Sequence, residues 1–244
     1  MKPNYARFIQ SLYGARAREL GWQPQPGDSD NTRQLRLELV PFVAAAGQDR
    51  SLREDAAKLA RAWLENRHSL DPDVVEPVLV IAASDGDRAF FDSLVAAAKT
   101  TKAKRERDWI IGGIASFRDP AIEKSALDLL WNNDLDAREL TPVLFDAWME
   151  TRDIVWDFVR ENFDRLNSRL PGARGIPFGS SLPFTAVRYC DESRRQQVAS
   201  FFQDRIASLS GGRRNLENVL ERIRLCSVRA DAMRPDLIRF LEEQ

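Results

Sequence analysis

Apolar residues recur every three or four positions along nearly the whole chain, and alternating apolar and polar runs are absent. That spacing puts side chains on one stripe of an α-helix and does not suit a half-buried strand, so it predicts an all-α fold. Hydrophobic residues make up 43% of 244, enough to bury a sizeable core.

Local signals divide the pattern into helices. Asp28-Ser29-Asp30 offers N-caps for a helix with Leu35, Leu39, Phe42 and Val43 on one stripe. Ser51-Leu52-Arg53-Glu54 reads as a capping box opening a helix that carries Ala56, Leu59, Ala60, Trp63 and Leu64. Asp71-Pro72 and Asp119-Pro120 each join a capping carboxylate to a proline in the first turn. Pro77 is expected to kink its helix or delay its start. Thr141-Pro142 opens a shorter helix, and Ile154, Val155, Phe158, Val159 and Phe163 mark another. Residues 171–183 hold three prolines and three glycines and are expected to form a loop, inserted within the array of helices. Separate helices then follow around Val198 and Phe202, around Leu216 and Ile223, and around Leu237 and Leu241. About eleven or twelve helices, in pairs recurring roughly every 35 to 45 residues, suit a HEAT/armadillo-like α-superhelix of antiparallel helix pairs. The expectation is one helical repeat domain over residues 1–244; a compact irregular bundle is the competing architecture.

Enzyme chemistry finds little to work with. A zinc hydrolase needs three ligands and an open position, commonly with two histidines on one helix. The chain has one histidine, His68, just past a helix end, where it reads as solvated or capping. Any Ser-His-Asp or Cys-His arrangement would need that same residue. Cys190 and Cys226 form no C-x-x-C pair; they read as small apolar fillers in a reducing compartment. The expected chain is therefore not itself an enzyme, with no catalytic residue, metal ligand or cofactor of its own. Asp28 to Thr32 starts like a calcium loop, but Arg33 stands where the glycine belongs, so capping explains the acids better. Gly112-Gly113 reads as close helix packing, and Gly211-Gly212 as a helix stop. Five of the six tryptophans sit on apolar stripes; Trp22 lies in an irregular stretch.

Charge and hydropathy bound the partners. Thirty-six Lys and Arg against 37 Asp and Glu leave a net charge of -1, so the total carries no nucleic-acid footprint. No apolar run approaches a membrane span and no signal peptide opens the chain, so the expected location is cytoplasmic with no membrane partner. Arg33 and Arg36, at i and i+3, share a helix face, and Arg174 and Arg188 flank the expected loop. Either set is a candidate for holding a peptide carboxylate by charge-assisted hydrogen bonds; internal ion pairing is the competing role.

In order along the chain, several segments resemble one known domain. Leu20-Gly21-Trp22, Gly27-Asp28-Ser29 and Thr32 to Arg36 look like its opening. Ala56 with Trp63, and then Asp71-Pro72-Asp73, are similar to its next helix pair. Glu106-Arg107 ahead of Phe117-Arg118-Asp119-Pro120, the helix Trp156 to Phe163, Phe201-Phe202 and Leu220 to Ile223 resemble later parts. That domain is the C-terminal domain of the aminopeptidase-N-like zinc aminopeptidases, the endoplasmic-reticulum and puromycin-sensitive type. Asp28 stands where glutamate is more frequent, Phe163 where tryptophan is common, and Arg138-Glu139-Leu140 lacks the usual Gln-Asp. The resemblance implies a non-catalytic helical domain that covers the active-site cleft and shapes peptide access. It also implies that zinc lies in a separate catalytic domain of a parent enzyme, the expected partner along with the peptide. The chain begins almost where such a domain would begin, so an excised domain or shortened gene product is expected. A free-standing α-solenoid scaffold for protein partners is the alternative, and a HEAT-type DNA-repair protein a further one.

Overall fold

The computed structural model describes residues 2–170, 172 and 175–243, and among them the fold is all-α, without a β-sheet. Paired, largely antiparallel helices make it up, consistent with a helical-repeat arrangement. The chain divides into two compact units, Met1–Arg118 with Leu237–Gln244, and Asp119–Asp236.

The first unit opens with α1 (Lys2–Ile9), a π-helical turn (Gln10–Gly14) and α2 (Ala15–Leu20). It continues with α3 (Asp30–Ala45), α4 (Arg50–Glu65), α5 (Pro72–Ser84), α6 (Arg88–Thr100) and α7 (Lys104–Ile114). Helix α5 is the hub, packing on α3, α4 and α7. Val74, Val75, Val78, Leu79, Ile81, Ala82 and Ala83 are all buried, so α5 is apolar around most of its girth, as a central helix must be. Pro77 lies inside α5 without ending it.

Caps follow the sequence at most starts. Ser29 accepts from the Thr32 amide, Asp71 from Asp73, Asp87 from Phe90, and Asp119 from Ala121 and Ile122. At α4 the expected capping box fails. Asp49 is the cap, accepting from the Leu52 amide, and the Ser51 hydroxyl donates to Asp49 instead. A carboxylate two residues upstream outcompetes a hydroxyl because its charge strengthens the bond to the helix amides. Gly86 follows α5, where a Cβ would come within 2.7 Å of the Phe117 ring, so only glycine lets that ring close on Phe90 and Phe91.

The second unit holds α8 (Pro120–Asp128), a short 3-10 turn (Leu129–Trp131), α9 (Pro142–Phe145) and α10 (Arg152–Arg169). After these come a 3-10 helix (Phe178–Ala186), α11 (Glu192–Phe202) and α12 (Gly212–Glu242). Trp156, Val159, Phe163 and Leu166 bury one face of α10. Around Trp156 gather Tyr189, Phe201 and Phe202 at centroid distances of 5.6 to 6.4 Å. The expected loop over 171–183 becomes helical from Phe178 onward. The Asn167 side chain accepts from the Gly179 amide, and the Asn215 amide donates to the Ser180 carbonyl, replacing backbone partners that a strand or longer helix would supply.

Helix α12 is one element of 31 residues where two were expected, and Pro235 lies inside it. It begins at Gly212, which the sequence suggested as a stop; a Cβ there would lie 2.4 Å from the Ile206 carbonyl oxygen. Its residues as far as 236 belong to the second unit and those from 237 to the first.

Candidate functional site

The arginines singled out from sequence have different fates. Arg36 is only 2% exposed. Its Nη2 pairs with Asp28 at 2.7 Å and its Nε donates to the Leu20 carbonyl, so it ties the start of α3 to the end of α2. The Gln25 amide and then Arg36 hold the Asp28 carboxyl below its ordinary range. Arg33 is exposed one turn earlier, so the structure does not bring the pair to one surface. Arg188 is exposed, donating to the Ala147 carbonyl at 2.7 Å, and Arg174 lies outside the described residues.

Three other features depart from expectation. Cys190 and Cys226 are joined in a disulfide, with Cα atoms 5.0 Å apart, and are not buried apolar fillers. Cys190 is half-buried and Cys226 exposed, so neither sits in the apolar surroundings a filler would occupy. Trp22 belongs to the core: it is buried, and its indole N–H donates to the Leu52 carbonyl at 2.9 Å. Glu123 on α8 is 1% exposed, and neither carboxyl oxygen has a hydrogen-bond partner. Burial pushes its carboxyl up to about 8, outweighing the Thr151 hydroxyl beside it, which acts the other way.

Open clefts in each unit carry charge. In the first unit a cleft of about 350 Å³ is bounded by Arg50, Arg53, Arg61, Glu54, Asp85 and Asp87. Arg53 pairs with Asp85 at 2.8 Å and Arg50 with Glu54 at 2.6 Å, so much of that charge is internally matched. In the second unit a cleft of about 390 Å³ has Ile206, Leu216 and Leu220 on its walls and Asp204, Arg213 and Glu217 among its polar residues.

The π turn and α3 of the first unit expose several large apolar side chains. Leu12 is 54% exposed and Phe42 39%, and Tyr13 meets Phe42 edge to face at 6.3 Å. Leu35 lies two helical turns before Phe42 and is exposed as well. Among the described residues no group of three or more His, Cys, Asp or Glu converges to hold a metal ion. These residues therefore do not fit a zinc site. No helix of the described residues is long and apolar enough to cross a membrane.

Comparison with known proteins places these features in a family. The model of the ERAP1-like C-terminal domain matches residues 1–225. Aminopeptidase M1-B of Oryza sativa subsp. japonica is 24% identical over 244 residues, covering 97% of this chain and 27% of the relative. Aminopeptidase M1 of Arabidopsis thaliana is 24% identical over 223 residues, 89% of this chain and 25% of the relative. Aminopeptidase 2, mitochondrial, of Saccharomyces cerevisiae is 20% identical over 196 residues, 77% of this chain and 20% of the relative. The chain thus spans about a quarter of the length of these curated relatives. With a match that runs from the first compact unit through most of the second, the chain belongs to the ERAP1-like C-terminal domain family, related to the zinc aminopeptidases of the aminopeptidase M1/N type.

Proposed function

We propose that this chain serves as the C-terminal domain of a zinc aminopeptidase, docking on the catalytic portion and narrowing the route by which peptides reach the zinc. The observation that carries this reading is the exposure of Leu12 and Tyr13 on the π turn and of Leu35 and Phe42 on α3. Large apolar side chains exposed together on neighbouring elements, with Tyr13 against Phe42, support a place where another protein surface belongs. The named relatives, being aminopeptidases about four times as long, support the identity of that surface's owner. Selection then works by exclusion: a cleft roofed by helices sorts peptides by length and end chemistry before any bond breaks. Arg33 in the first unit or, alternatively, Arg188 in the second is the exposed cation proposed to meet a peptide carboxylate; Arg36 is committed to Asp28.

Reconstitution tests the reading. The chain is added to the separately expressed zinc-bearing portion of an aminopeptidase from the same genome. The two should co-elute, and cleavage of long peptides should change while cleavage of an aminoacyl reporter does not. Phe42→Ser should weaken association about tenfold or more, as loss of a central aromatic anchor does. Failure to associate, or equal effects on both substrates, would refute the proposal.

A further inference from the structure

We propose that the Cys190–Cys226 disulfide is a redox-operated clasp that holds the C-terminal helix on the second unit. Cys190 precedes Asp191, the N-cap of α11, and Cys226 lies on α12 36 residues later. On α12, Leu216, Val219 and Ile223 are buried, and Ile223 is the last buried side chain before the disulfide. From Arg224 to Phe240 no side chain is buried; Val228 is 58% and Met233 59% exposed. Beyond Ile223 the covalent bond ties α12 to the residue before the α11 cap at a point where no side chain of the helix is buried. Pro235 adds a missing amide within this exposed stretch, and a helix of this length is marginal in water without a packed face. Opening the clasp removes the covalent tie from the exposed stretch that runs between the buried Ile223 and the buried Leu241.

The exposed position of Cys226 gives a reductant access. The thiolate of a small dithiol attacks the Cys226 sulfur, and Cys190 leaves as a thiolate that takes up a proton. The second thiol of the reductant then displaces Cys226, so the protein gains two electrons and two protons while the reductant closes its own disulfide.

The test uses the full chain, as oxidised and after dithiothreitol, beside a Cys190→Ser/Cys226→Ser variant. Digestion with trypsin, read by mass spectrometry, follows cleavage after Arg222, Arg224 and Arg229 in α12 and after Arg61 in α4. The oxidised chain should take up no alkylating reagent. Reduction should raise cleavage in α12 at least tenfold and leave cleavage after Arg61 unchanged, and the double variant should behave as the reduced chain in either buffer. Three results would each overturn the clasp: two free thiols persisting under glutathione disulfide, unchanged cleavage in α12 on reduction, or a parallel rise after Arg61. The last would make the bond a general staple of the fold.

Discussion

Replacing Glu123 with glutamine should make the protein's stability less dependent on pH, because that carboxyl is buried without a hydrogen-bond partner. Its carboxyl titrates at 4.5 when free and about 8 when folded. Between those values the folded chain keeps a proton that the unfolded chain has lost, so stability falls as pH rises. The contribution is complete below the unfolded value and gone once pH has passed the folded one. Each pH unit within the window costs about 1.4 kcal/mol, or about 3 kcal/mol from pH 5 to about 7.5. Against a typical total of roughly 5 to 15 kcal/mol this is large. Glutamine keeps the shape and stays neutral. Urea unfolding of both proteins at several pH values isolates the effect, since every other titration cancels in the difference. The two should be within about 1 kcal/mol of each other at pH 5, with Glu123→Gln pulling ahead by about 3 kcal/mol at about pH 7.5. A difference that stays constant across that range would refute the assignment of a neutral, buried acid.

Other substitutions test the packing. Arg36→Ala should cost about 3 kcal/mol in urea unfolding, since it strips a buried stem and strands the Leu20 carbonyl and Asp28; a loss below about 1 kcal/mol would show the pair to be dispensable. Asp49→Ala should destabilise by about 1 kcal/mol or more while Ser51→Ala costs less, and the reverse order would restore the capping box. Trp22→Phe should cost about 1 kcal/mol through the lost bond to Leu52, with near-ultraviolet circular dichroism otherwise preserved. Trp156→Ala should cost about 3 to 5 kcal/mol, and a smaller loss would mean that its aromatic neighbours collapse into the space.

What the sequence disclosed was local. Asp71-Pro72 and Asp119-Pro120 open helices because the cap, the proline and the amides they serve lie within four residues. What it hid depended on distance. Arg33 and Arg36 are adjacent on a helical net, yet three residues rotate by about 300°, which leaves about 60° between them, enough to put one in solvent and the other against Asp28. Cys190 and Cys226 could not be paired without knowing that the chain brings these two positions, 36 residues apart, to a Cα separation of 5.0 Å. Trp22 looked irregular because its partner, the Leu52 carbonyl, is 30 residues away. Glu123 did leave a trace: it stands four residues before Leu127 and seven before Leu130, on the apolar stripe itself. A carboxylate in that register is either paired or neutral, and sequence alone does not distinguish them.

The π turn at Gln10–Gly14 explains why the first twenty residues escape a search for regular periodicity. Their buried positions, Ala6, Ile9, Gly14, Ala17 and Leu20, are spaced three, five, three and three apart. A wider turn takes up the surplus residue and keeps both flanking helices in phase with the same neighbours. The segment consequently has a built-in allowance for length. Losing one residue between Gln10 and Gly14 would restore an ordinary helix with its inward face intact, whereas the same loss within α4 would swing each later apolar side chain by about 100° toward water.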